Sequence, residues 1–222
     1  MNIIKKKEAL RLYFRNKIVI PLIKARHNSE LKQKEFTIIS NNCWGGTVYE
    51  SYDLQKQSPT IGMFIMPKDY LKLINNLEYY FSLSLKFIEP DESKWKGILE
   101  NKSNWGKYLI AELGDIELHM LHYHDKELAL EKWNNRINRI KWEKLLIKFN
   151  DQNGCTKQDI QDFLSIPYKN KVCFIADPTL KVNSTNVILI EQKEDVMEGI
   201  KASREPYKNH RCFNLTELLN SL

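Results

Sequence analysis

The sequence is poor in glycine, proline and cysteine, and it contains no long apolar run. Eight glycines and seven prolines among 222 residues exclude collagen-like and low-complexity chains. Four widely spaced cysteines match neither a disulfide scaffold nor a zinc ribbon, so we expect reduced thiols and no structural metal. The longest wholly apolar run, Ile18 to Ile23, has six residues and contains Pro21. Because this run is too short for a secretory signal or a spanning helix, we expect a cytoplasmic protein.

Charge is distributed unevenly along the chain. The formal net charge of +6 combines 34 basic with 28 acidic side chains. Residues 1–34 contain ten basic and two acidic side chains, or +8, which leaves −2 for the other 188 residues. A protein that binds nucleic acid would carry its basic residues on the folded body, so we expect no nucleic-acid partner.

The basic segment 1–34 is predicted to form an amphipathic helical arm. Apolar and basic side chains each recur there at helical spacing. The apolar ones are Leu10, Phe14 and Ile18, and the basic ones are Lys7, Arg11 and Arg15. Such a helix can lie on an anionic membrane surface, here the inner leaflet, or it can pack its apolar side on the sheet. Pro21 should bend or end it.

Residues 35–222 are predicted to form a single α/β domain, because strand-length apolar runs alternate with helical segments and no long linker divides them. The pattern favours a mainly parallel sheet with flanking helices in a Rossmann-like three-layer arrangement. The predicted strands are Phe36–Ser40, Tyr108–Glu112, Asp115–Tyr123, Leu145–Phe149, Lys171–Ala176 and Val187–Glu191. Helices are predicted from Pro67, after an Asp125 N-cap, after a Thr156 capping box, and over Leu215–Leu222.

Two of these segments lead to specific predictions about burial. In Asp115–Tyr123 polar and apolar residues alternate with one slip at Met120-Leu121, and a bulge there would place all the polar side chains on one face. The helix after Asp125 is predicted to bury one stripe of apolar side chains. The stripe consists of Leu130, Trp133, Ile137 and Ile140. The other face, which includes Arg136, should be solvated.

Ligands of an open parallel sheet bind beyond the carboxyl ends of the strands, where loops and helix N-termini converge. This rule selects the loops 41–46, 122–125 and 150–155. The backbone amides of Gly45 and Gly46 can approach a phosphate, or the pair can form a plain tight turn. The predicted substrate-binding residues are Asn41, Asn42, Trp44, Gly45, Gly46, Glu117, Asn150 and Asn153.

Four side chains are candidates for catalysis, namely Cys43, His122, His124 and Asp151. Cys43 can act as a nucleophile where a nearby imidazole lowers its pKa, or it can be a small buried apolar residue. The two histidines can supply a base, or they can aim at one metal ion with Glu117 or Asp151 as oxygen ligands. An ordinary polar strand face explains the histidines equally simply, so we predict no metal and assign no cofactor.

Five motifs occur in order along the chain. They are Phe36–Gly46, Ser58–Ile65, Asp115–Tyr123, Lys132–Ile140 and Phe149–Thr156. Together they resemble an uncharacterised bacterial family that is often labelled exopolysaccharide biosynthesis protein. The resemblance covers the chain from about Leu10 to Phe174. It implies an α/β fold and a surface-polysaccharide setting, and it brings no catalytic residues with it.

Two function classes are consistent with these features. The first is a cytoplasmic transferase of exopolysaccharide or capsule biosynthesis that acts on a sugar or lipid-linked glycan with a phosphorylated donor. In it the 41–46 loop positions the donor, His122 or His124 deprotonates the acceptor hydroxyl, and Asp151 orients that hydroxyl. A Cys43 thioester, as in acyl transfer, is the enzymatic variant. The second class is a non-catalytic carbohydrate-binding or assembly protein of the same pathway, in which Trp44 stacks on a sugar ring.

Overall fold

The computed structural model describes residues 3–190 and 213–222. The strands are β1 (Thr37–Ser40), β2 (Lys86–Ile88), β3 (Leu109–Leu113), β4 (Ile116–Met120), β5 (Leu145–Asn150), β6 (Lys171–Ile175) and β7 (Val187–Leu189). The α-helices are α1 (Ile3–Phe14), α2 (Ile20–Glu30), α3 (Trp44–Ser51), α4 (Pro67–Asn75), α5 (Leu77–Ser82), α6 (Lys96–Leu99), α7 (Lys126–Ile137), α8 (Lys157–Ser165) and α9 (Leu215–Asn220). A π-helical turn, Arg15–Val19, separates α1 from α2.

Four strands form a parallel sheet in the order β1-β5-β6-β7. Its register pairs Ile38 with Leu146 and Phe149 with Cys173. The predicted strands are confirmed here to within about two residues at each end, while Glu191 lies outside the described residues. A parallel sheet is covered on both faces, which explains why these strands are apolar along almost their whole length.

The other three strands form a separate antiparallel sheet in the order β2-β3-β4. The tight turn at Gly114, which has a φ of +63°, joins β3 directly to β4. Such a short connection allows only antiparallel pairing, because parallel neighbours need a crossover of a dozen or more residues. The fold is therefore mixed α/β, with parallel pairing in only one of its two sheets. The Rossmann-like three-layer arrangement stays a prediction.

An irregular segment, residues 61–66, connects the two sheets. Ile65 N donates to Asn41 O at 3.0 Å, just beyond β1. On its other side Phe64 pairs with His119 of β4, through N–H···O bonds of 2.9 and 3.0 Å. The end of β1 and the end of β4 consequently lie on opposite sides of this segment. A crevice remains between them.

Apolar side chains pack on both faces of the parallel sheet. On one face, Ile39 and Ile147 join a cluster with residues of α4, α7 and α8. On the other, Ile38 and Leu146 join a cluster with residues of α3 and α9. The alternation of neighbouring residues between two cores is what a strand with a period of two produces.

The predicted helix starts are confirmed by their caps. Pro67 begins α4, the Asp125 carboxylate accepts from Leu128 N, and Thr156 forms a capping box with Asp159. Each cap supplies a partner for first-turn amides that have none inside the helix, so these short sequence signals were reliable.

Two of the burial predictions are wrong. Strand β4 ends at Met120 and the chain turns at once, because Tyr123 N donates back to Met120 O at 3.0 Å. No bulge therefore continues the strand, and His122 and His124 leave the face of Glu117. The stripe predicted around α7 is confirmed for Trp133 and Ile140, which are buried. It is wrong for Leu130, which is 40% exposed, and the predicted solvation of Arg136 is wrong because this residue is buried. The guanidinium is buried because it finds hydrogen-bond acceptors inside the protein, which periodicity alone does not reveal.

The N-terminal arm is helical, as predicted, but its apolar side does not pack on the sheet. Leu10 is 69% exposed, Phe14 54% and Ile18 43%. The chain stays helical through Pro21, which lies in the first turn of α2, where a missing N–H is tolerated. Within the described residues, no helix combines the length and the apolar character that crossing a bilayer requires.

Candidate functional site

A pocket of about 300 Å³ lies at the carboxyl end of β1, in the crevice beside residues 61–62. Its lining includes Cys43, Gly46, His122, Tyr123, Lys132 and Arg136. The structure thus brings together residues from two of the three predicted loops and adds two cations from α7. This position agrees with the rule that ligands bind beyond strand ends.

One wall of the pocket is the start of α3. Cys43 immediately precedes this helix, and Gly45 and Gly46 occupy its first turn. First-turn amides have no acceptor within a helix and can bind an anion, but here the amide of Trp44 already donates to Asn42 Oδ1 at 3.1 Å. A Cβ on Gly46 would come within 3.0 Å of Ile61 Cγ2, so glycine allows the helix to approach the opposite wall closely. The predicted 41–46 loop is in fact a short turn followed by a helix.

The other wall is held by hydrogen bonds to the guanidinium of Arg136. Tyr123 OH donates to Ile61 O at 2.9 Å. Arg136 Nη1 donates to the Tyr123 hydroxyl oxygen and, at 3.4 Å, to Ile61 O. Within the part of the chain that the structure describes, Nε and Nη2 of Arg136 have no acceptor, so their N–H groups remain available to a ligand.

Positive charge predominates in the pocket. Lys56, Lys132 and Arg136 line it against one carboxylate, that of Glu50. Among residues 3–190 and 213–222, none of these three cations lies within ion-pair distance of a carboxylate, and Glu50 is 4.0 Å from Lys24. Side-chain cations without a protein counter-charge attract an anionic ligand such as phosphate.

Cys43 and His122 both line this pocket, as the hypothesis of a nucleophile and its base requires. Burial raises the pKa of the Cys43 thiol, and the charge of Lys148 lowers it by a smaller amount. The sulfur lies 3.8 Å from Met63 O, a weak contact. A thiol whose pKa is raised is a poor nucleophile at neutral pH. The exposed side chain of His122 is better placed to exchange a proton with a bound ligand.

A second group of polar side chains lies at the carboxyl ends of β1 and β5. This strand-end cluster consists of Asn41, Asn42, Lys148 and Asn150. Lys148 Nζ donates to Asn42 Oδ1 and Asn150 Oδ1, both at 2.9 Å, and Asn41 Nδ2 donates to Asn150 O at 3.3 Å. Since Asn42 directly precedes Cys43, the cluster and the pocket are neighbours along the chain.

Lys148 is fully buried in this cluster. Its amine lies 6.0 Å from the ring centre of Trp44 and 5.5 Å from that of Phe174. Burial lowers the pKa of the amine to about 7, although Cys173, Asp151 and Cys43 act in the opposite direction. A buried amine held by amide oxygens, with no carboxylate within ion-pair distance among the described residues, is costly to keep charged.

The remaining predicted residues have structural partners. Trp44 is fully buried with its ring edge-on to Phe174, at 5.4 Å between ring centres, so the prediction that it stacks on a sugar is wrong. Asp151 Oδ2 accepts from Ala176 N at 2.6 Å and from Asp177 N at 2.9 Å. This carboxylate joins the loops that follow β5 and β6, which is a role in shaping the strand ends.

Three other predicted residues lie away from the pocket lining. The Asn153 Oδ1 accepts from Lys102 Nζ at 2.6 Å, and His124 is exposed. Glu117 is buried on β4, where it accepts from the Ser93 hydroxyl at 2.6 Å. In the described part of the chain, no group of three or more His, Cys, Asp or Glu side chains could hold a metal ion. The two histidines therefore do not form the metal site that their spacing allowed.

Sequence reasoning missed Arg136 and Lys148. The sequence contained a signal in both cases. Lys148 interrupts an apolar strand, and a strand of a parallel sheet ordinarily contains no charged residue. Arg136 follows Trp133 by three positions, which is one helical turn, and therefore lies on the buried side. Ile61 O, which accepts from Arg136, and Asn42 Oδ1, which accepts from Lys148, belong to distant segments and could not be identified by spacing.

Comparison with known proteins gives two matches. The family described as "Domain of unknown function (DUF1919)" matches residues 14–220. A protein of Haemophilus influenzae, described as "Uncharacterized protein", is 32% identical over 149 residues, which are 67% of this chain and 66% of the relative. The match thus covers slightly less than two thirds of the relative's own length. Neither description names a reaction.

Proposed function

The chain belongs to the DUF1919 family, and within it we propose that this protein is a transferase that binds a phosphorylated sugar donor in the pocket at the end of β1. Its place in bacterial exopolysaccharide or capsule biosynthesis, in the cytoplasm, is part of the proposal. That setting is supported by the five-motif resemblance alone. The chemistry is supported by the residues of the pocket.

One observation carries the proposed substrate class: Lys56, Lys132 and Arg136 line one pocket against a single carboxylate, that of Glu50, and none of the three forms an ion pair in the described chain. A phosphate or diphosphate supplies the missing charge and accepts hydrogen bonds from the free N–H groups of Arg136. Gly46, in the first turn of α3, lies on the opposite wall, where the lack of a side chain lets a ligand approach the backbone closely. A neutral ligand would leave the excess of positive charge in the pocket uncompensated.

The proposed reaction is transfer of the sugar to an acceptor hydroxyl. His122 accepts the proton of that hydroxyl, the acceptor oxygen bonds to the anomeric carbon, and the bond from that carbon to the phosphate oxygen breaks. The negative charge that develops on the leaving phosphate is stabilised by Arg136 and Lys132. This scheme assigns no step to Cys43, whose pKa is raised.

Binding and turnover test the proposal separately. Titration calorimetry with inorganic phosphate and a panel of nucleotide sugars should show binding that Lys132→Ala weakens about tenfold, since one charge-assisted bond is lost. Lys107→Ala, a change at an exposed lysine that does not line the pocket, should leave affinity unchanged. Failure of every phosphorylated probe to bind would refute the anion pocket.

Turnover is measured as nucleotide release with a polyprenyl-linked acceptor. His122→Gln should abolish release while donor affinity is retained, and His124→Gln should have little effect because His124 does not line the pocket. Binding without turnover across the panel would favour the alternative, a non-catalytic carbohydrate-binding or assembly protein.

The arm is part of the proposal as a membrane contact. Its exposed apolar side chains include Leu10, Phe14 and Ile18, and Arg11, Arg15 and Lys17 lie among them. Apolar burial combined with positive charge favours the surface of an anionic bilayer. Contact between the arm and the bilayer would bring the protein close to a lipid-linked acceptor.

A further inference from the structure

The strand-end cluster contains two buried polar atoms whose hydrogen-bonding capacity is unused. Asn41 Oδ1 and Asn150 Nδ2 are both buried without a partner. The two residues are 3% and 2% exposed, and they contact each other through the bond from Asn41 Nδ2 to Asn150 O. Leaving such atoms unsatisfied opposes folding, because each atom loses the hydrogen bond that it makes with water in the unfolded chain. Native proteins therefore ordinarily provide them with a ligand or an ordered water.

The amide orientations are determined by the neighbouring bonds. Asn150 Oδ1 accepts from Lys148 Nζ, so its other atom, Nδ2, must be the N–H donor. Asn41 Nδ2 donates to a carbonyl, so its other atom, Oδ1, must be the acceptor. One free acceptor and one free donor are therefore present together, beside an amine that uses two bonds.

We infer that Asn41 and Asn150 form a subsite for a hydroxyl group of the sugar. A hydroxyl donates one hydrogen bond, to Asn41 Oδ1, and accepts one, from Asn150 Nδ2. A phosphate oxygen could use the donor but would be repelled by the acceptor, so this subsite differs in chemistry from the cation-lined pocket. The inference rests on the proposed function, because it assigns the sugar part of the same donor.

Position supports this assignment. Asn42, which binds Lys148 through its Oδ1, is followed directly by Cys43 of the pocket lining. Phosphate and sugar hydroxyl would thus bind at consecutive parts of one turn. Lys148 has a positioning role, because its bond to Asn150 Oδ1 fixes Nδ2 as the end of the amide that is left as a free donor.

The variant Asn150→Asp tests the donor half of the subsite. It replaces the free N–H group by an oxygen and, at the same time, gives the buried amine of Lys148 a carboxylate partner. We therefore expect a higher unfolding midpoint at neutral pH together with about tenfold weaker binding of a hexose 1-phosphate. A merely structural role of Asn150 would not combine gain of stability with loss of sugar affinity. Asn76→Asp, at the N-cap of α5, is the matched control and should bind as wild type.

Calorimetry with hexose 1-phosphates, free hexose and inorganic phosphate separates this inference from the proposed function. Weaker hexose 1-phosphate binding with unchanged phosphate binding supports the subsite. Equal hexose 1-phosphate binding by wild type and Asn150→Asp overturns it, and ordered water then satisfies the two atoms.

If inorganic phosphate does not bind the wild type, the proposed anion pocket fails. The subsite then stands only if free hexose binds the wild type more tightly than Asn150→Asp. Asn41→Leu, which removes the acceptor, should likewise weaken hexose 1-phosphate binding with unchanged phosphate binding, and it replaces Asn150→Asp in the test if that variant does not fold.

Discussion

Lys148 Nζ lies 2.9 Å from Asn42 Oδ1, and this bond connects β5 to the turn that follows β1. It fixes the turn from which both Cys43 and the first turn of α3 emerge. The connection is made by a group that is fully buried and has no carboxylate within ion-pair distance in the described chain. The protein therefore maintains its strand ends with a residue whose charge opposes folding.

We expect the free energy of unfolding to rise with pH above about pH 7. The pKa of Lys148 is lowered to about 7 in the folded protein and has its ordinary value, 10.5, in the unfolded chain. Between these values the unfolded chain binds more protons, so an increase in pH favours the folded state by up to about 1.4 kcal/mol per pH unit. Urea unfolding across this range measures the slope.

Lys148→Met isolates this contribution, because it keeps an unbranched side chain without the amine. Its slope between about pH 7 and about pH 9 should be flatter than that of the wild type. Lys107→Met, at an exposed lysine, should keep the wild-type slope. Identical slopes for Lys148→Met and the wild type would show that the amine is not the titrating group.

The turn beside the pocket depends on glycine at position 62. Its φ is +82°, and a Cβ there would lie 3.0 Å from Tyr123 Cε2. Gly62→Ala should destabilise the protein by about 1–3 kcal/mol in chemical denaturation, because strain and a clash coincide. Gly97→Ala, in α6 with open space around it, should cost nothing measurable. A neutral Gly62→Ala variant would mean that the turn relaxes freely and does not hold Tyr123.

Local signals in the sequence were sufficient for much of the fold. Pro67, Asp125 and Thr156 begin helices as predicted, because capping depends only on residues one turn apart. The pairing of strands depends on connections instead. A turn as short as that at Gly114 allows only a hairpin. Strands β3 and β4 therefore pair with each other in an antiparallel sheet and do not join the parallel one.

The sequence predicted where the pocket lies better than it predicted which residues line or support it. The strand-end rule led to Cys43, Gly46 and His122, which line one pocket. Arg136 and Lys148 were missed because their burial depends on acceptors from distant segments, Ile61 O for one and Asn42 Oδ1 for the other. Hydrophobic periodicity treats every basic residue as solvated, and these two are exceptions.

The side chain of Asp69 should hold segment 89–108, which connects β2 to β3, against the rest of the protein. Its buried carboxylate accepts from Lys94 Nζ, Trp95 Nε1 and Glu117 N, at 2.8 to 2.9 Å. Asp69→Ala leaves Trp95 Nε1 and Glu117 N without this acceptor, whereas Lys94 Nζ keeps its bond to Asp115 O. The substitution should cost about 2–4 kcal/mol, with faster hydrogen exchange around Trp95. Asp91→Ala, at a highly exposed carboxylate paired with Lys96, should change stability little. An unchanged rate of hydrogen exchange around Trp95 in Asp69→Ala would show that other contacts hold segment 89–108 in place.

The arm should bind vesicles in proportion to their negative charge. Co-sedimentation is expected with phosphatidylglycerol vesicles, and it should be weak with phosphatidylcholine and decrease as salt is added. Replacing Arg11, Arg15 and Lys17 together by Gln should abolish binding. Replacing Lys102, Lys107 and Lys126 of the body by Gln should not. If both triple variants sediment equally, the arm is not the membrane contact.

Alkylation of Cys43 decides whether a thioester route is open to this protein. Because burial raises the pKa of its thiol, the rate with iodoacetamide should be low at neutral pH and should still be rising at about pH 9, where the rate of an ordinary thiol begins to level off. Mass spectrometry of the Cys43 peptide follows the rate, with glutathione as an unburied reference thiol. Inorganic phosphate should slow alkylation further, since Cys43 lines the pocket that is proposed to bind it. A Cys43 that reacts faster than glutathione at neutral pH would identify a thiolate nucleophile and would favour acyl transfer over transfer to a hydroxyl deprotonated by His122.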